Sequence, residues 1–176
     1  MFNPKFHSKE GYDQAIGELM YMLELTRTMT EFELSELTTI ELDFLHDHNS
    51  NSIGMLLSHM ASIEYLHQVM SFVDRMFNEQ EEKEWTTALQ MGEQRRTEIH
   101  SNDLPYYLEK LSKVRQVTYD FLKEQDDQWL YEERHFPDGT PYNNYYLWFH
   151  VIEDEISHRG QIKLIRRLIK EKATVN

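Results

Sequence analysis

Asp154 and His158 stand four residues apart in a segment whose other periodic positions are mostly apolar: Leu147, Val151, Ile162 or Gln161, Ile165, then Leu168 or Ile169. Four residues turn an α-helix through about 400°, so both side chains leave one face, one turn apart. A carboxylate and an imidazole on a core-facing line are costly to bury without partners. This spacing lets both reach one metal ion, as paired histidines do in helical metal sites. It also serves ordinary surface pairs, so a third ligand must come from another helix. His59, among Leu56, Met60 and Ile63 in an apolar stretch, is the best candidate. The plainer alternative for it is a core histidine with Nδ1 on a backbone carbonyl.

The other histidines fit one ion less well. His67 lies eight residues past His59, about 12 Å along a helix axis, too far to share an ion with it. His150 has the same relation to His158, and pairing it with Asp154 would strand His158. His7, His46, His48, His100 and His135 sit in polar or terminal segments and read as surface residues. Glu64, Glu153 and Glu155 are candidates for orienting a ligating imidazole, with Glu153 read as a solvated helix face.

These residues need helices to position them. The periodicity predicts four long ones, over about 9–33, 52–77, 104–123 and 143–170, with no convincing strand alternation. Asn49 to Ser52 offer N-caps before the second, and Pro105 suits the first turn of the third. Residues 78–102 are polar and acidic, apart from Trp85, Leu89 and Met91, and read as a long connection with a short helix that partly docks on the bundle. Pro137 to Pro141 form a turn. The expected fold is all-α, a four-helix bundle with long crossover connections.

At 176 residues the chain suits one domain, 1–176. The net charge of −13 repels phosphate backbones and anionic membrane surfaces, so neither nucleic acid nor membrane is an expected partner. The chain has no cysteine, so a metal site must use His and carboxylates. The N-terminus lacks a signal peptide's apolar stretch, and the expected location is cytoplasmic.

Two segments carry a resemblance. Asn51 to Met60 contains an Ile-Gly followed five residues after the Gly by His59, and His150 to Ile162 ends in His-Arg-Gly-Gln-Ile. Together, and at their separation, they resemble the second- and fourth-helix motifs of the DinB/YfiT-like superfamily, over essentially the whole chain. The resemblance implies a four-helix bundle holding a divalent metal on three side chains, one from the second helix and two from the fourth. Matched residue by residue these are His59, Asp154 and His158, with Asp154 where many members carry His. Some relatives are transferases or isomerases that use bacillithiol, mycothiol or glutathione.

Two imidazoles and a carboxylate suit Zn, Ni, Fe or Mn and leave coordination positions open. The resemblance implies a metal-dependent enzyme of the DinB/YfiT-like type and, among the activities of such enzymes, small-thiol S-transfer. The alternatives are a metal-dependent hydrolase and a non-catalytic metal-binding or structural bundle. No residue beyond the metal ligands is identifiable as catalytic. Tyr142, Tyr145, Tyr146, Trp148 and Phe149 could wall a substrate pocket, although core or subunit interface is the commoner use of such a cluster. A close helix contact would explain Gly160. The aromatic and methionine content points to a homodimer.

Overall fold

The computed structural model describes residues 5–90 and 93–175; Met91, whose docking was expected, lies outside them. The helices are α1 (Gln14–Leu34), α2 (Thr39–Leu42), α3 (Ile53–Phe72), α4 (Glu79–Leu89), α5 (Glu93–Glu98), α6 (Leu104–Leu122) and α7 (Asn144–Val175). A 3-10 helix (Asp127–Tyr131) and an antiparallel ribbon, β1 (Glu133–His135) with β2 (Pro141–Asn143), join α6 to α7. The four long helices form the expected all-α bundle. α3 packs against α6 and α7, and α7 against α1.

α3 is the central helix because it has almost no polar face. Nearly all of its residues are buried, polar ones included. Ser52 starts it, its Oγ accepting the Met55 N–H at 3.3 Å. Gly54 lets α6 approach: a Cβ there would stand 2.5 Å from the Tyr107 hydroxyl. Gly160 is different. The expected close helix contact is absent, for a Cβ at that position would meet nothing within 4 Å.

Several boundaries differ from expectation, each for a local reason. α1 begins at Gln14 rather than near 9, after a turn in which Gly11 takes φ +87°. The carboxylate of Asp127 accepts the Ala15 and Ile16 N–H groups at 3.0 and 2.9 Å, capping α1 from far along the chain. α3 stops at Phe72 rather than 77, just before Asp74 enters the left-handed region at φ 55°. The expected turn at 137–141 is present, and short strands flank it in a register that pairs Arg134 with Tyr142.

The 78–102 connection holds two helices rather than one. Asn78 caps α4 by accepting the Gln80 and Glu81 N–H groups. Glu81 in turn accepts hydrogen bonds from Arg75 and from the Tyr65 hydroxyl. Trp85 stacks on Tyr65 with ring centroids 4.5 Å apart, and Lys110 lies over the indole. These contacts fix α4 on the bundle and bring its last turn over α3.

Candidate metal centre

His59 from α3 and Asp154 and His158 from α7 come together. Asp154 Oδ1 lies 3.5 Å from His59 Nε2 and 3.2 Å from His158 Nε2, and the two imidazoles meet edge to face. One donor atom from each falls within 4.8 Å of the others, a group that could hold a metal ion. All three are largely buried, with side-chain exposures of 9, 12 and 7%.

The protonation pattern of His59 bears on what this cluster can hold. Its Nδ1 lies 3.1 Å from the Ala88 carbonyl oxygen, in the last turn of α4. A carbonyl only accepts, so Nδ1 carries the hydrogen and the neutral ring presents a lone pair at Nε2. That lone pair faces a carboxylate oxygen. Two lone pairs so placed repel unless a proton or a metal cation lies between them. Burial raises the pKa of Asp154, but the hydrogen bonds and charge of His158 and His59, in their protonated form, outweigh burial and hold it well below the usual carboxylate range; a cation held between neutral imidazoles would take over that role. Asp154 Oδ2 and His158 Nδ1 are buried and have no hydrogen-bond partner among the described residues. The donor set and the orphaned Asp154 oxygen both fit a cation.

Beside the cluster lies Arg95 of α5, 1% exposed. Its Nη1 donates to the same Ala88 oxygen at 3.2 Å, while Nε and Nη2 have no acceptor among the described residues. Neither Arg95 nor the Ala88 carbonyl is marked by any local pattern of residues. Arg95 sits in a polar stretch without apolar period, and a backbone oxygen has no side-chain signature.

The remaining expectations divide. His67 takes no part in the cluster. Its Nδ1 donates to the Ile63 carbonyl at 2.6 Å and its Nε2 pairs with His150 Nδ1 at 3.2 Å. His7, His46, His48, His100 and His135 are exposed, as is Glu153. Glu64 and Glu155 are buried but do not orient a ligating imidazole. Both are held by Arg27 and Arg115. The aromatic cluster splits. Trp148 is core, stacked on Phe72. Tyr142 and Tyr146 line a cleft against the ribbon with Tyr131 and Phe136, on other residues than the cluster.

No curated protein matches this chain. Among solved structures, one described as the crystal structure of the conserved protein of locus from Enterococcus faecalis aligns with a TM-score of 0.67 at 16% identity, covering 87% of this chain and 95% of that one. At that identity the likeness concerns the fold alone. No helix among the described residues is long and apolar enough to cross a membrane. A family model for mycothiol-S-transferase, a DinB/YfiT-like family, matches residues 18–171, which include His59, Asp154, His158 and Arg95, and the chain belongs to that family.

Proposed function

We propose that this protein is a metal-dependent S-transferase acting on a low-molecular-weight thiol, with one divalent ion held by His59, Asp154 and His158. The observation that carries the reading is the 3.5 Å approach of the His59 Nε2 lone pair to an ionised Asp154 oxygen. The Ala88 carbonyl orients the imidazole, as partners of ligating histidines do. Family membership supports the thiol. Two nitrogens and an oxygen suit Zn, Ni, Fe or Mn better than Ca.

A divalent ion in such a site lowers the pKa of a thiol in an open coordination position. His59, Asp154 and His158 would hold the ion in a largely buried setting, Asp154 being the most exposed of the three side chains. In the transfer, the thiol sulfur forms a bond to an electrophilic carbon, the leaving group departs with its bonding pair, and the thiol proton goes to solvent.

The burial of all three side chains favours a second reading, a structural ion without catalysis. Two measurements separate them. Elemental analysis after reconstitution and desalting should find one ion per chain. The loaded protein should then accelerate consumption of bacillithiol, mycothiol or glutathione by an electrophile. Metal retention without acceleration for any thiol would favour the structural ion. No retention beyond that of the His59→Ala, Asp154→Ala and His158→Ala variants would remove both. We carry two further expectations as part of this proposal, a single domain and a homodimer. For the dimer, Phe149, Ile156 and Leu164 stand exposed along one side of α7, and light scattering showing a monomer at tens of micromolar would refute it.

A further inference from the structure

Arg95 is among the largest fully buried side chains, yet only one of its nitrogens, Nη1, has an acceptor among the described residues. A buried guanidinium with unused donors is expensive, and it persists where something of opposite charge completes it. Its place is constrained from several sides. Nη1 shares the Ala88 oxygen with His59 Nδ1, so the guanidinium adjoins the imidazole on the side that Ala88 orients. The next residue, Arg96, is tied to the Ser50 and Asn49 carbonyls at 3.1 and 2.7 Å, which anchors α5 against the loop before α3. Ile99 packs in the core just beyond α5. Arg95 is thus fastened in position from both sides.

Burial pushes Arg95 down to about 10, Arg96 adds to that, and Asp154 opposes it. Asp154 cannot serve both partners fully. Once its charge is engaged by a divalent ion, the filled site holds an excess of positive charge, since the neutral imidazoles offset none of it. The surplus and the free N–H groups of Arg95 ask for the same thing, an anion with oxygen acceptors. A planar carboxylate matches the guanidinium fork.

Building on the thiol reading above, we propose that Arg95 anchors a carboxylate of the ligand, so that the substrate class is a carboxylate-bearing thiol rather than a neutral one. Arg95 would act as a specificity residue beside the ion.

The test is a binding cycle by titration calorimetry on Zn-saturated protein, comparing wild type with Arg95→Gln and Arg95→Lys. The probes are mercaptoacetate against β-mercaptoethanol and, free of sulfur, succinate against succinamide. Losing a charge-assisted pair should weaken both anionic probes by about tenfold or more in Arg95→Gln and leave both neutral probes unchanged, with Arg95→Lys between. Thermal melts identify any variant that is not folded, and the lysine variant then carries the comparison. If succinate depends on Arg95 and no thiol binds, the anchor stands and the thiol reading falls. If thiols bind with equal response to the substitution in both members of each pair, the anchor falls and the thiol reading stands. If neither mercaptoacetate nor succinate binds wild type at millimolar concentration, the anchor is overturned.

Discussion

The bundle contains two buried polar clusters built from similar parts, and they are finished differently. In the first, Arg27, Glu64, Arg115 and Glu155 close on one another. Glu64 takes Arg115 Nε at 2.6 Å and the Thr118 hydroxyl at 2.7 Å, and Glu155 takes Arg27 Nε at 2.9 Å. The guanidinium groups spend remaining donors on the Leu23 and Leu111 carbonyls. Two positive and two negative charges balance, and among the described residues none of their side-chain atoms is left without a partner. In the second, His59, Asp154, His158 and Arg95 retain orphan atoms on three of the four side chains. Burial of charge alone therefore does not mark a site; incompletion does. A closed network specifies helix packing, whereas an open one has room for a ligand.

The predictions probe that contrast. The largest effect belongs to the closed cluster. Glu64→Gln should cost about 3–5 kcal/mol, because it leaves two buried guanidinium groups short of charge, read by urea unfolding. The matching change Asp154→Asn, made in metal-free protein, should cost less, since one oxygen of that carboxylate already lacks a partner. Equal losses would erase the distinction.

A neighbouring pair sharpens it through pH. Burial drives His67 down to about 4, with the charge of His150 adding to the shift, although the Ile63 hydrogen bond opposes it. The unfolded chain takes up this proton near 6.5 and the folded chain only near 4. Between those values the unfolded state binds more protons, so stability falls as the pH drops from 6.5 toward 4. Integrated over that window the loss is about 3 kcal/mol. His67→Leu should remove this part of the acid sensitivity. An unchanged difference in stability between pH 7 and 4 would show that His67 is not held neutral.

The open cluster should respond to its missing ion. Free metal at about 100 times Kd stabilises a folded protein by about 2.7 kcal/mol, and wild type should show that gain in a melt. His158→Ala should lose both the gain and the retained metal. Binding should also weaken below about pH 6, because protonated imidazole cannot ligate. A melt of wild type that does not move with any of Zn, Ni, Fe or Mn would count against the site.

The smallest expected effect is a null one. His67→Ala should leave metal stoichiometry at one per chain, because His67 spends its nitrogens on Ile63 and His150. A loss of metal there would merge two histidine layers that the geometry keeps apart.

The four long helices were legible because helical period and apolar spacing are local properties, and α3, α6 and α7 lie close to where that period puts them. Asp154 and His158 were legible for the same reason: one turn of helix presents both whatever else packs nearby. His59 was nameable as a polar interruption of an apolar helix, with the family motif supporting it. What the residues could not disclose was everything set by chains far apart in sequence. No local pattern pairs Arg27 or Arg115 with an acid, and only the meeting of α1, α3, α6 and α7 makes them the partners of Glu64 and Glu155. The starting point of α1 depended on Asp127, more than a hundred residues later. The Ala88 carbonyl and Arg95 reach His59 only because α4 and α5 fold back over α3. Periodicity reports which face of an element is apolar, but a hydrogen bond or ion pair between distant elements is decided when their packing sets which atoms come within about 3 Å.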